Sequence, residues 1–312
     1  MSKLAVVFPG QGSQSLGMLK DYYEQHEIIK ATFKEASQAL GFDLWQLITE
    51  DEVKLNQTEF TQPALLAASI AIWRLLQQEG LIDTPDYLAG HSLGEYSALV
   101  AAGSLNFADA LKLVHLRGQL MQSAINDRQC AMSAILGLSN EEVIACCAQA
   151  STDGVVEAAN FNSHGQVVIS GEKTAVEKAN HIAKEKGAKR AQILPVSVPS
   201  HCSLMKDAAM QFAKALEAIT IHEPQIPVVH NYDVENHNNT DEIKEALVKQ
   251  LYNPVKWTQT IEKLANAGVE TIIECGANKV LTGLNKRIVK HLNYLDTATL
   301  GAYEKLKGYR HV

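Results

Sequence analysis

The sequence has no apolar run long enough to cross a bilayer. Its longest stretches, Pro63 to Trp73 and Tyr96 to Ala102, fall well short of the ~20 residues a spanning helix needs. It has no excess of positive charge either. Its 28 Lys and Arg face 35 Asp and Glu, a net charge of −7, which argues against nucleic acid or an anionic membrane as the main partner. An acidic partner would need a local basic patch. The five cysteines (Cys130, Cys146, Cys147, Cys202, Cys275) are odd in number and lack CxxC spacing. That excludes a disulfide framework and a zinc site, and leads us to expect reduced thiols in a cytoplasmic protein. Fixed-period repeats, low-complexity tracts and charge blocks are also missing. The opening run from Met1 to Pro9 carries one cation and breaks at proline, so it reads as a buried first strand rather than a secretory leader.

What is present is ordinary globular material. With 312 residues, 46% of them hydrophobic, the chain can bury one large core or two unequal ones. Leu4 to Phe8 reads as a strand ending in the turn Gly10-Gln11-Gly12. Helical patterns cover 19–41, 61–78 and 92–102, and Tyr87 to Ala89 is a short strand feeding Gly90. Alternation of this kind predicts a mostly parallel sheet with helices on both faces. The middle differs: strand 131–136, helix 140–150, strands 155–162 and 166–170, helix 173–186, strand 191–198. This βαββαβ order is that of a ferredoxin-like unit. The expectation is an α/β, hydrolase-like catalytic domain, 1–127 and 198–312, with a ferredoxin-like small domain, 128–197, inserted. The main domain resumes with helices at 204–218, 241–251 and 258–267 and strands at 228–229 and 271–274.

Gly90-His91-Ser92-Leu93-Gly94 fits the G-x-S-x-G nucleophile elbow, in the strand–turn–helix context that motif requires. A tight turn presents the Ser92 hydroxyl, and the Leu93 amide at the helix start can point at a developing oxyanion. The plainer alternative is a serine that merely caps a helix. A serine nucleophile needs a base. His201, in Val196-Ser-Val-Pro-Ser-His201, lies where the chain returns from the inserted unit, and loops gather there over the carboxyl ends of the sheet. The hydrolase order Ser…Asp/Glu…His fits poorly: Asp153 and Glu157 fall in the inserted unit, and neither His291 nor His311 sits in a clear post-strand loop. Gly12 and Gly17 have P-loop spacing, but Met18 and Leu19 stand where Lys and Ser or Thr are required. Phosphate cradling is therefore not expected there.

With these residues in place, the chain resembles the malonyl-CoA:acyl-carrier-protein transacylases of bacterial fatty acid synthesis over nearly its whole length. The likeness is carried by Phe8-Pro-Gly-Gln-Gly-Ser-Gln14, Gly90-His-Ser-Leu-Gly-Glu95, Leu116-Arg117-Gly118-Gln-Leu-Met121-Gln122 and Asn160-Phe-Asn162-Ser-His-Gly-Gln166-Val-Val-Ile-Ser-Gly171. The histidine loop, Gln250-Leu-Tyr-Asn-Pro-Val-Lys-Trp257 and Gly283-Leu-Asn-Lys-Arg-Ile288 complete it. The resemblance implies Ser92 as acylated nucleophile, His201 as general base and acid, and Gln250 as a neutral group holding the imidazole by its side-chain or backbone carbonyl. It implies an oxyanion hole from the amides of Gln11 and Leu93. Arg117 would bind the free malonyl carboxylate with Met121 nearby, while His91, Asn160 and Asn162 would face the substrate.

It further implies ping-pong transfer from malonyl-CoA to a phosphopantetheinylated acyl carrier protein, with no metal or other cofactor, by a monomer. We place Lys189, Arg190, Lys286, Arg287 and Lys290 at the mouth, facing that acidic partner. His164 and Gly276-Ala-Asn-Lys279 depart from the family pattern in turns. Ser200, before the histidine, leaves the choice between malonyl and methylmalonyl open, and polyketide acyltransferases share the pattern.

Overall fold

The computed structural model describes residues 3–196 and 198–307. Its strands are β1 (Lys3–Phe8), β2 (Tyr87–Gly90), β3 (Cys130–Leu136), β4 (Val156–Ser163), β5 (Gln166–Glu172), β6 (Arg190–Ile193), β7 (Val228–Val229), β8 (Val269–Glu274) and β9 (Asn293–Asp296). Among the described residues they form two sheets, in the orders β7-β2-β1-β8-β9 and β4-β5-β3-β6.

Every pairing in the first sheet is parallel. β1 lies at its centre, and both of its faces are covered. Leu4, Val6 and Phe8 join a core that includes the long helix Thr58–Gln78, whereas Ala5 and Val7 pack with residues of helices Trp257–Asn266 and Val280–Ile288. Burial on both sides is why this strand reads as a continuous apolar run instead of alternating. Among the described residues, no helix is long and apolar enough to cross a membrane.

The second sheet is antiparallel throughout. One face buries Ala131, Ile135, Val167 and Ile169 against residues of helices Asn140–Ala150 and Lys173–Glu185. The opposite face presents Met132 and Val168 to a cleft shared with the parallel sheet. The protein is thus α/β, a parallel sheet joined to a ferredoxin-like unit, as the βαββαβ order implied.

Two elements differ from expectation. The helix expected over 19–41 is split into Lys20–Gln25 and Glu27–Leu40 because His26 is extended (φ −128°). The final small-sheet strand, expected to reach Val198, stops at Ile193, where Pro195 can offer no N–H to a neighbour. Ser197 and the His311 candidate lie outside the described residues. His291 is exposed ahead of β9.

Candidate active site

Ser92 lies one residue beyond the end of β2, after His91, with φ 51°, a left-handed conformation that costs a side-chain-bearing residue energy and must be held by its surroundings. Two contacts hold it. A Cβ on Gly90 would fall 1.9 Å from the Gly94 carbonyl carbon, and one on Gly94 would fall 2.0 Å from the Phe8 carbonyl oxygen. Only glycines permit so tight an elbow. Asn231, just beyond β7, accepts from the Ser92 amide at 2.7 Å and donates to the Gly90 carbonyl at 2.7 Å. Helix Gly94–Ala101 then begins, its N-terminus beside the serine. Among the described residues, the main-chain N–H groups of Leu93 and Gln11 meet no acceptor.

The Ser92 hydroxyl lies 2.7 Å from His201 Nε2, and His201 Nδ1 lies 2.7 Å from the main-chain oxygen of Gln250. A carbonyl only accepts, so Nδ1 carries the proton and Nε2 offers its lone pair to the hydroxyl. Gln250 ends helix Thr240–Gln250. Its carbonyl is among those a helix leaves unsatisfied at its C-terminus, where the dipole is negative. The neighbouring Leu251 carbonyl accepts the His201 amide at 3.0 Å. One helix end thus orients both ring and backbone, without a carboxylate.

Arg117, on helix Phe107–Ser123, is 1% exposed. It donates to Gln62 Oε1 at 2.8 Å, to Gln250 Oε1 at 3.0 Å and to Ser92 Oγ at 3.4 Å, and its guanidinium lies 5.4 Å from the Tyr96 ring centroid. None of these partners is a carboxylate, and its Nε has no acceptor among the described residues. A buried guanidinium left this way is poised to accept an anion. Its approach depends on close packing: a Cβ on Gly118 would sit 2.5 Å from Glu59 Cα. Pro63 inside the opposing helix frees the Glu59 carbonyl of an N–H partner, and His115 Nδ1 donates to it at 2.8 Å.

The cleft, about 160 Å³, is lined by Gln11, His91, Ser92 and His201 on one side and by Asn160, Asn162 and Met132 on the other. His91 Nε2 lies 2.7 Å from Asn162 Oδ1, joining elbow to small sheet, and burial holds its pKa below the ordinary imidazole value. Met121 is buried behind the cleft, its sulfur 3.7 Å from Gln62 Nε2. Lys189, Arg190, Lys286, Arg287 and Lys290 are exposed. Cross-strand register aligns Gln166, Leu136 and Arg190 at one end of the small sheet, and Arg287 donates to Gln166 Oε1 at 2.9 Å. The cation pairs therefore share one end of that sheet. Wider grooves of about 520 and 600 Å³ near Trp45 and Phe42 hold none of these groups.

The model of the acyl transferase domain family matches residues 5–308. A Haemophilus influenzae protein named malonyl CoA-acyl carrier protein transacylase is 54% identical over 98% of this chain and 99% of its own. The chain belongs to the acyl transferase family. A crystal structure of an acyl carrier protein S-malonyltransferase from Vibrio cholerae matches this acyl transferase with TM-score 0.95 and 55% identity, covering 98% of this chain and 100% of that one. Another structure, of a type II PKS acyl-carrier protein in complex with its malonyl-transacylase, matches with TM-score 0.96 and 51% identity, over 99% and 100% of the two chains.

Three polar residues of the acyl transferase received no role from sequence reasoning, although Glu95 closes the elbow motif: Gln62, Glu95 and Asn231. Gln62 holds Arg117 from a helix that reads as apolar core. Glu95 is fully buried, accepting from His230 Nδ1 at 2.7 Å, from the Asn231 amide at 2.9 Å and from Gln250 Nε2 at 2.8 Å. The strand at 228–229, two residues before Asn231, was legible, but not its place beside β2. Electrostatically, the imidazole of this acyl transferase is kept neutral. Burial first, then the Arg117 charge, push His201 down to about 3, opposed by its bond to the Gln250 carbonyl. Cys202, next in sequence, is a buried thiol pushed up to about 12 by desolvation, so it stays protonated.

Proposed function

We propose that this acyl transferase moves a malonyl group from malonyl-CoA to the phosphopantetheine thiol of an acyl carrier protein, through an ester on Ser92. One observation carries the choice of acyl group: a buried guanidinium without a carboxylate partner stands 3.4 Å from the Ser92 hydroxyl. An acyl chain on Ser92 reaches Arg117 with a carboxylate about one methylene beyond the reacting carbonyl, which describes malonyl. An acetyl group would leave the cation unpaired, a loss of about 3–5 kcal/mol and hence at least about a hundredfold discrimination.

The cycle uses the groups in the cleft. His201 Nε2 takes the Ser92 proton as Oγ attacks the thioester carbonyl. The amides of Gln11 and Leu93 receive the negative oxygen, and the C–S bond breaks as His201 returns the proton to the coenzyme A sulfur. The carrier thiol then repeats these steps in reverse against the malonyl ester. Both half-reactions balance with the two thiols and one imidazole. His91, Asn160 and Asn162 border the pantetheine path, and Lys189, Arg190, Lys286 and Arg287 face the carrier. We also propose domain boundaries near 128 and 197, action by a single chain (every group named lies in one polypeptide) and a cytoplasmic setting suited to the free thiols.

Ser92→Ala should lower turnover by about 10⁴-fold or more. Intact-mass spectrometry after incubation with malonyl-CoA should show a malonyl adduct on the parent chain alone, and an adduct surviving the substitution overturns the assignment. The likeness to the polyketide transacylase complex favours a second reading of the acceptor, a polyketide carrier. Comparing kcat/KM across fatty acid and polyketide carriers decides between them.

A further inference from the structure

Behind the serine, two buried charges face each other across a single amide. Arg117 Nη2 donates to Gln250 Oε1 at 3.0 Å, and Gln250 Nε2 donates to Glu95 Oε2 at 2.8 Å and to the Ser92 carbonyl at 3.0 Å. The amide dipole is aligned with both charges, its oxygen on the cation and its N–H on the anion. A carboxylate and a main-chain carbonyl accept and cannot donate, so Glu95, with the Ser92 carbonyl beside it, sets which way the Gln250 amide points. Turned over, the amide would set N–H against guanidinium N–H. The remaining valences of Glu95 are taken by the Asn231 amide and by His230, whose other nitrogen has no partner among the described residues. The carboxylate is thereby fixed.

We infer that Glu95 is the positioning residue for substrate selection, a buried anion that holds Arg117 in place through Gln250 while leaving the guanidinium free of any direct carboxylate. A direct Glu–Arg pair would occupy the donors an acyl carboxylate must use. An unbridged arginine would be an uncompensated buried charge held, of its two side-chain amide acceptors, by Gln62 alone. The bridged pair avoids both. Glu95 touches neither substrate nor reacting atoms; it acts on selectivity through Gln250 and Arg117. This inference rests on the reading of Arg117 as the acyl-carboxylate receptor.

The test compares acylation rates of the full chain with malonyl-CoA and acetyl-CoA as donors. Glu95→Gln keeps the size of the side chain but removes its charge and lets it donate as well as accept, leaving only the Ser92 carbonyl to orient the Gln250 amide. Its malonyl rate should fall about ten- to hundredfold, the loss expected when hydrogen bonding to a charged group is disturbed, with a much smaller fall for acetyl. The malonyl-to-acetyl ratio should therefore drop at least about tenfold. Equal losses with both donors, or an unchanged ratio, overturn the inference. Because Glu95→Gln changes a buried group, Gln250→Leu supplies an independent arm. It keeps the main-chain carbonyl that orients His201, and should lower the same ratio; an unchanged ratio again overturns the inference. Adding Glu95→Gln to Gln250→Leu should lower the ratio no further, since both cut one connection, and an additive loss also counts against it. Arg117→Ala separates the two readings. If it leaves the ratio unchanged, the carboxylate-receptor reading fails; if it collapses the ratio while Glu95→Gln does not, only the role of Glu95 fails.

Discussion

At the scale of single residues, the base is the unusual group. A histidine pushed down to about 3 by burial and by Arg117 is a weak base in the free protein, though always correctly unprotonated at neutral pH. A malonyl carboxylate paired with Arg117 would cancel one of the causes and raise the imidazole toward its ordinary range, making it a better base once the right acyl group is bound. The acid limb of kcat/KM, which reports free enzyme, should then lie at about pH 3. The acid limb of kcat should lie at higher pH. Coincident limbs near the ordinary histidine value would refute this, and buffered stopped-flow acylation measures both. The stability consequence has a definite sign. His201 binds fewer protons folded than unfolded between about pH 3 and 6.5, so its neutral burial supports the fold above that window. That support, roughly 5 kcal/mol at most, is lost as pH falls through it.

At the scale of elements, the site is assembled from ends and crossings. A strand end and a helix start hold Ser92, a helix C-terminus orients His201, and two helices in near backbone contact carry Arg117 inward. Gly118→Ala tests the last of these. Alanine gains at most about 1 kcal/mol of helix propensity over glycine. Here its Cβ would lie 2.5 Å from Glu59 Cα and 2.8 Å from the Glu59 nitrogen, and forcing backbone apart costs about 1–3 kcal/mol. The clash wins. A lower melting temperature and a reduced malonyl-to-acetyl ratio should appear together, and a stabilised variant with unchanged selectivity would contradict the packing account. The same elements explain what was legible in the sequence. The elbow could be read because glycine spacing and strand–helix switching are local, and the βαββαβ order because each strand's apolar pattern is local too. Ser92 could be read as nucleophile from that elbow and His201 as its base from its place where the chain returns, whereas the role of Arg117 came from motif resemblance, which local periodicity could not supply. Gln62, Glu95 and Asn231 stayed hidden because their meaning depends on which elements become neighbours. Gln62 sits in an apolar helix, and Asn231 matters only because β7 lies beside β2. The split at His26 depends on local backbone angles that a continuous helical pattern does not reveal.

At the scale of the whole molecule, the net charge of −7 sets the problem for an acidic carrier: the surface as a whole repels it, so docking must rely on a local field. Gln166, Leu136 and Arg190 are aligned across the small sheet, and the helix bearing Lys286 and Arg287 reaches that end through the bond from Arg287 to Gln166. Cations of the small sheet and of helix Val280–Ile288 thus meet at one end of that sheet. Arg287 has a structural tie, whereas Lys189, Arg190 and Lys286 are exposed and form no ion pair among the described residues, so they are the better positions to reverse. Lys189→Glu, Arg190→Glu and Lys286→Glu should each raise KM for the carrier several-fold, with the triple change larger. Exposed charges act through a field that salt screens within about 10 Å at 0.1 M. The penalty should accordingly shrink as ionic strength rises. Malonyl-serine formation measured without carrier should change far less. If the first half-reaction slows as much as the second, these cations serve coenzyme A or the fold, and the carrier must dock elsewhere on the molecule.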